Sequence, residues 1–343
     1  MNYRNRIISA FLAGSFVASG ITAAAQGGST SYDFLNIPTA AHTYALGGTN
    51  LTLIEEDINQ VSQNPALMGP EMDMQLGLNY MHYIGNINLA GVTFGMAATE
   101  RSAWAAGIQY FGYGKMTQTE ADGTIVGTFS PQDVVFNGLY SHEIFRNFRG
   151  GINLKLVYSA YEKYSALAMA VDLGVNYYNP NNDLSLSLVF KNLGGQLKRF
   201  NDIHNPLPWD IQIGYSQSLA LAPIRFSVTA RHLNRWSLPY PASDNQSGGQ
   251  SVVTKNNFAD NLFRHLIFGV EYLPTDYMYI GLGYNYKTRT DMKTDARNIL
   301  SGFSIGAGIR VRMFSVGVAV AQQHIKGTTV MVNLTTNLYE FKR

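Results

Sequence analysis

Residues Ser165–Leu193, SALAMAVDLGVNYYNPNNDLSLSLVFKNL, decide the fold. From Leu167 the odd positions are Leu167, Met169, Val171, Leu173, Val175 and Tyr177, while Ala166, Ala168, Ala170, Asp172, Gly174 and Asn176 fall between them. After Asn179-Pro180-Asn181-Asn182-Asp183 the alternation restarts, with Leu184, Leu186, Leu188 and Phe190 against Ser185, Ser187, Val189 and Lys191. A period of two means β-strands with one apolar face and one small or polar face. Ordinary strands run about 5–6 residues, whereas about 9–11 tilted residues cross the hydrocarbon of a bilayer. Two strands of that length joined by a short turn form one hairpin of a transmembrane β-barrel.

Chemistry suggests a register. With Asn181-Asn182 as the central turn residues, Leu173 faces Phe190, Val175 faces Leu188 and Asp172 faces Lys191. A tight turn at Lys163-Tyr164 places Lys155 opposite Asp172 and Leu156 opposite Val171. Apolar residues then meet apolar ones, and the carboxylate sits between two lysines on the inner wall. Opposite charges across strands support a sheet, and an inward charge in a narrow barrel needs a partner. Lys155, Asp172 and Lys191 are therefore expected to form a structural charge network in the lumen.

Composition agrees with strands that are apolar on one side only. Charged residues are 14% of the 343, well under the usual quarter, yet the mean hydropathy is only −0.07. No apolar run reaches the roughly 18 residues of a membrane helix. A net charge of +2 gives no basis for nucleic-acid binding, and the absence of cysteine removes disulfides and thiol chemistry. At the N-terminus, Arg4 and Arg6 precede an apolar run that ends in Ala23-Ala24-Ala25. That pattern predicts a secretory signal peptide over 1–25, cut before Gln26. Export and long strands together point to the outer membrane of a Gram-negative bacterium.

Read onward by alternation and turn signals, the chain gives strands near 74–83, 88–98, 102–114, 132–143, 150–162, 166–178, 183–193, 208–219, 223–235, 264–273, 277–287, 302–312, 315–323 and 329–341. The expected fold is all-β, a transmembrane antiparallel β-barrel of about fourteen strands over 74–343, an even number as single-chain barrels require. Connections such as Thr99–Arg101, Pro274–Asp276 and Met313-Phe314 are tight, whereas Lys115–Pro131, Gly194–Leu207, Trp236–Phe263 and Thr288–Ser301 are long. Barrels of this class carry short periplasmic turns and long extracellular loops, so both termini are expected in the periplasm. Asp122-Gly123 predicts a hairpin within Lys115–Pro131. Tyr80, Tyr83, Tyr110, Tyr113, Tyr158, Tyr161, Tyr177 and Tyr284 gather at strand ends, as rings at lipid headgroup level do.

Chemistry-bearing motifs are missing. The seven histidines form no metal-binding spacing. Ser141-His142-Glu143 lies along a strand, where neighbours point to opposite faces and cannot relay a proton. With no nucleophile motif or phosphate loop, no catalytic residue and no cofactor is expected.

Residues 26–73 do not alternate. They hold Ala45-Leu46-Gly47-Gly48-Thr49-Asn50, the acidic run Glu55-Glu56-Asp57, a predicted short helix over Ile54–Gln63, and Asn64-Pro65-Ala66. Such a segment ahead of a barrel resembles the FadL-like outer-membrane family. The resemblance implies that 26–73 folds back as a plug, with Asn64, Pro65 and Ala66 as its turn, inside a barrel that passes apolar solutes. Further strings narrow it: Ser31–Pro38, Ala105–Tyr110, Asp172–Pro180, Lys191–Lys198, Pro206–Gln212 and Ala222–Ser227 resemble the PorQ family of the type IX secretion system of Bacteroidota. That resemblance implies a non-catalytic barrel in the surface attachment complex. Its implied partners are PorZ, which such a barrel seats, then PorU and PorV, with outer-membrane lipid and lipopolysaccharide around it. Channel and scaffold both stay open on the sequence.

Overall fold

The computed structural model describes residues 30–342 apart from 121, 202–203, 239, 244–249, 254–256, 292–299 and 325–326. The expected signal peptide, 1–25, lies outside the described residues. The long strands are β1 (Gln75–His82), β2 (Asn88–Thr99) and β3 (Ser102–Gly112), followed by a separate ribbon of β4 (Met116–Thr119) and β5 (Ile125–Phe129). Next come β6 (Gln132–Phe145), β7 (Phe148–Tyr161), β8 (Tyr164–Asn179), β9 (Leu184–Lys198), β10 (Asp210–Ser218) and β11 (Ile224–Ala230). A second small ribbon, β12 (Tyr240–Ser243) with β13 (Gln250–Val253), precedes β14 (Leu266–Thr275), β15 (Met278–Asn285), β16 (Phe303–Val311), β17 (Phe314–His324) and β18 (Gly327–Asn337). Without the two ribbons, fourteen antiparallel strands form one closed barrel. Closure comes from β1 on β18, with Gln75 opposite Asn337 and His82 opposite Val330. No helix among the described residues is long and apolar enough to cross a membrane.

The period of two sorts the two surfaces. In β8, Met169, Leu173 and Val175 are 41–49% exposed on the outside, while Ala166, Ala168, Ala170, Asp172 and Asn176 are buried inside. The outer belt continues through Ile108, Phe136, Leu154, Ile213, Ile280, Leu282 and Val318, all exposed. Soluble monomers seldom expose apolar patches beyond a few hundred Å², and this one encircles the molecule. Aromatic rings border it at both rims: Tyr80, Tyr110, Tyr158 and Phe303 towards the long connections, and Phe145, Phe148, Tyr272 and Phe314 towards the tight turns. Of the paired tyrosines expected at headgroup level, Tyr113 and Tyr161 instead turn inward and donate to the buried Asp133 carboxylate. They lie three residues from Tyr110 and Tyr158, an odd step that reverses the face.

Register departs from expectation in two places. Leu173 does face Phe190 and Val175 does face Leu188, but between Leu173/Phe190 and Val171/Leu193 the strand β9 carries one extra residue. Lys191 and Asn192 thus share the place opposite Asp172, a β-bulge with Asn192 at φ +54°. Between β7 and β8 the turn is Glu162-Lys163, closed by Tyr161 opposite Tyr164, so Asn153 faces Asp172 and Lys155 faces Ala170. The expected pairing of Lys155 with Asp172 was two residues out, and the expected Leu156–Val171 pair is Leu154–Val171. A slip of two keeps every side chain on its own face.

Three predicted elements also change. β11 stops at Ala230 rather than 235, and residues 258–265 and 286–291 are short helices at the long-connection end. Arg312, within the predicted strand 302–312, lies in the β16–β17 turn with φ +51°. The predicted helix over Ile54–Gln63 shrinks to the 3₁₀ turn Ile58–Ser62, capped by the Asp57 side chain accepting from Asn59 N. The hairpin expected within Lys115–Pro131 is the β4–β5 ribbon.

Lipid contact of the belt is testable at Leu154, which is 53% exposed, mid-strand and opposite Gly138 and Val171. Leu154→Arg should destabilise the barrel folded in phospholipid vesicles by about 2–4 kcal/mol near the midplane. Urea unfolding in vesicles measures it, and an unchanged midpoint would place Leu154 in water.

Candidate functional site

Residues 30–73 fill the barrel and touch its wall around the circumference. The backbone of this segment is not in a sheet, so its polar groups need other partners. Wall side chains supply many of them. Asn333 accepts from Ala41 N and donates to Thr39 O at 2.8 Å. Ser304 accepts from Gly47 N at 2.9 Å, and Ser141 donates to Met68 O at 2.7 Å. Apolar contact completes the fit, with Ile58, Val61, Met68 and Met72 packed against Ala103, Ala105 and Leu139.

The turn Asn64-Pro65-Ala66 is held from within and without. Asn64 Oδ1 accepts from Ala66 N at 2.9 Å, while its Nδ2 donates to Leu51 O at 3.0 Å and Ser187 Oγ at 3.1 Å. Pro65 opens a 3₁₀ turn, where its missing N–H is no loss. The wall opposite is glycine because it must be: a Cβ on Gly151 would collide with the Pro65 carbonyl, and one on Gly174 with the Asn64 side chain.

Of Lys155, Asp172 and Lys191, the first two form an ion pair at the bulge. Lys155 Nζ lies 2.6 Å from Asp172 Oδ2, the other carboxylate oxygen accepts from Asn192 N at 2.7 Å, and Lys155 also donates to Asn192 Oδ1 at 2.9 Å. Lys191 points elsewhere. Its Nζ donates to Ser62 O of the inner segment at 3.2 Å, so one lysine serves the wall and the other serves what fills it.

A larger ionic cluster lies towards the tight-turn end. His42 Nδ1 is 2.9 Å from Glu55 and Nε2 is 2.5 Å from Glu271 of β14. Arg225 of β11 grips Glu271 with Nε and Nη2 at 2.8 Å each, and Nη2 reaches Glu55 at 3.1 Å. The His42 ring stacks on Tyr279 of β15 with centroids 3.5 Å apart. Two further pairs join the inner segment to this end of the wall: Arg149–Glu71 at 2.8 Å and Arg310–Glu56 at 2.9 Å. Burial works against protonation of His42, but the carboxylates of Glu55 and Glu271 outweigh it and lift its pKa to about 9. His42 is thus an imidazolium bridging two carboxylates. Its donor atoms and those of Glu55 and Glu271 lie within 4.8 Å of one another, a spacing a metal could use. The Arg225 guanidinium already engages both carboxylates, so a divalent cation there would face a like charge.

At the opposite, long-connection end the inner segment and wall leave a cavity of about 340 Å³. Its lining includes Asp33, Asn36, Tyr44, Arg231, Arg235 and Lys287, mainly polar groups. Burial raises the Asp33 carboxyl above its usual range, while Arg235 works the other way.

None of His42, Arg225, Glu271 or this cavity emerged as a site from the sequence. The available signal was the acidic run Glu55-Glu56-Asp57 beside inward-facing charges on strands, since each side must find its counter-charge within the lumen.

No family model matches the sequence, and no curated protein is detectably similar to it. Among solved structures, the barrel is similar to a FadL homologue of Pseudomonas aeruginosa, with TM-score 0.50, 12% identity, and coverage of 87% of this chain and 98% of that one. The toluene transporter TbuX of Ralstonia pickettii aligns with TM-score 0.52 at 12% identity over 88% and 97% of the two chains. For the toluene transporter TodX of Pseudomonas putida the values are 0.51, 12%, 90% and 98%. The fold is that of the FadL-like barrels. Identity this low carries the architecture and no further.

The His42 cluster predicts a pH dependence. A histidine whose pKa rises from 6.5 to about 9 on folding stabilises the folded state fully below pH 6.5 and loses that contribution as pH rises through 9. Protection of residues 30–73 from protease should therefore fall between pH 6.5 and 9.5 in the wild type and be nearly flat over that range in His42→Gln. Parallel profiles for the two proteins would refute a charged His42.

Proposed function

We propose that this chain is a closed, non-catalytic barrel of an outer membrane, whose task is to seat a partner at the cell surface. The apolar belt between two aromatic rims supports the membrane placement. One observation carries the choice of a scaffold over a channel: the inner segment is fixed to the wall by Arg149–Glu71, Arg310–Glu56 and the His42–Glu55–Arg225–Glu271 cluster. The wall residues facing it at the tight-turn end include the charged Arg149, Arg225, Glu271 and Arg310, beside the apolar Ala103, Ala105 and Leu139. An apolar solute would have to displace a segment tied by the buried His42–Glu271–Arg225 cluster, where removing one partner costs about 3–5 kcal/mol, while the exposed Arg149–Glu71 and Arg310–Glu56 pairs add little.

In this reading the tight turns and both termini lie in the periplasm, and the long connections lie outside. The strings that resemble the PorQ family make the attachment complex of the type IX secretion system the context of this proposal. PorZ is then the partner seated, with PorU and PorV alongside in cargo processing and attachment to anionic lipopolysaccharide. Lys115–Pro131, Gly194–Leu207 and Trp236–Phe263 are the docking surface in this proposal. PorZ should co-purify in mild detergent with the wild type and be lost when these three connections are trimmed to tight turns. Undiminished recovery of PorZ with the trimmed barrel, shown to be folded by its heat-modified gel mobility, would reject the docking surface.

The alternative, a channel for apolar solutes, draws on the likeness to barrels named as toluene transporters. Vesicles carrying the purified chain should take up toluene no faster than empty vesicles if the scaffold reading is right. Uptake that rises with protein content would favour the channel.

A further inference from the structure

The cavity at the long-connection end has a volume within the range of small-molecule pockets, about 300–1,000 Å³, at about 340 Å³. Three cationic side chains line it, Arg231 and Arg235 following β11 and Lys287 following β15. Their local partners differ. Lys287 is paired with Asp291, which also takes Arg264 Nη2 at 2.7 Å. Arg231 has Asp210 only at 3.9 Å, and its Nε, shielded from solvent, makes no hydrogen bond. Arg235 Nε is likewise shielded and unbonded. The carboxylate of Asp33 lines the same cavity, without a hydrogen bond to either arginine.

A guanidinium presents five N–H donors in a planar fork that matches two oxygens of a phosphate or carboxylate. Neither arginine makes a side-chain hydrogen bond to the described residues, so the guanidinium groups that line the cavity are left open to an acceptor. Asp33, Asp210 and Asp291 offset part of the charge of Arg231, Arg235, Lys287 and Arg264, and a small anion completes the balance. Around the arginines, Asn36, Asn285 and Thr288 offer amide and hydroxyl groups, and Tyr44 and Phe303 offer rings. That combination suits a polar, hydroxylated molecule rather than a hydrocarbon.

We infer that this cavity is a binding site for a small oxyanion, a phosphate held by Arg231 and Arg235, either as the free ion or as the phosphate of a monosaccharide. The site does not depend on the anchor reading, because the ion pairs that fix the inner segment lie at the other end of the barrel.

Isothermal titration of the full chain in detergent micelles tests it with three probes: inorganic phosphate, glucose 6-phosphate and glucose. At least one of the two phosphates should bind with 1:1 stoichiometry, and glucose alone should not. Tighter binding of glucose 6-phosphate assigns the site to a sugar phosphate, and equal or tighter binding of inorganic phosphate assigns it to the free ion. Arg235→Gln should weaken binding by about tenfold or more, the loss of one charge-assisted hydrogen bond. Arg101→Gln, in the exposed β2–β3 turn at the far end, should leave it unchanged. If Arg235→Gln fails to fold, Arg235→Lys keeps the charge and removes the fork, and a several-fold loss is again expected. No binding of either phosphate up to about 10 mM, the region of negligible affinity, overturns the inference. So does an affinity that the Arg235 substitution leaves untouched.

Discussion

In a hydrocarbon environment an unpaired backbone N–H or C=O has no water to turn to, so a sheet placed there must have no edge. Everything else in this molecule follows from that requirement. The pairing of β1 with β18, from Gln75–Asn337 to His82–Val330, is the contact that removes the two edges. It also fixes the inside. Once the ring closes, alternate side chains of every strand point into a space of limited width, and whatever is polar there must be matched there. Wall glycines such as Gly151 and Gly174 then become packing positions, because the filling segment approaches the backbone directly.

The interior divides its charges into pairs that belong to the wall and pairs that cross to the filling segment. Asp172 with Lys155 joins neighbouring strands across a bulge. Glu271 with Arg225 also joins strands, but His42 and Glu55 insert into that pair and turn a wall contact into an attachment. A buried ion pair adds little over a well-packed apolar contact, yet breaking one side of it is expensive. Such pairs therefore define where the segment sits more than how strongly the barrel holds together.

Strand existence and facing were legible because both come from a local, repeating signal. Met169, Leu173 and Val175 against Ala168, Ala170 and Asp172 state which way β8 faces without reference to any other part of the chain. Register was legible only where turn chemistry fixed it, as between Leu173 and Phe190. The two-residue slip between β7 and β8 leaves the alternation intact, so no pattern of apolar residues could report it. The bulge at Asn192 had a faint sign, two successive inward polar residues, Lys191 and Asn192, where alternation allows one. Tyr113 and Tyr161 share the aromatic identity of the rim residues, but their odd step from Tyr110 and Tyr158 turns them inward to Asp133.

The ionic cluster was not legible for a different reason. His42 and Glu55 lie in a segment with no period, and the partners Arg225 and Glu55 are 170 residues apart in the chain. Only closure of the ring brings them together. The arginines of the open-end cavity are harder still, since Arg231 and Arg235 sit where β11 ends five residues earlier than alternation suggests. There the chain leaves the wall with His232 at φ +58°, and Arg231 and Arg235, which continue the inward parity of Arg225, Ser227 and Thr229, line the cavity. Early termination of one strand thus exchanges a stretch of wall for a basic rim. Their inward parity keeps Arg231 and Arg235 off the apolar belt, where a guanidinium would cost about 2–4 kcal/mol at the midplane, and places them where an anion can reach.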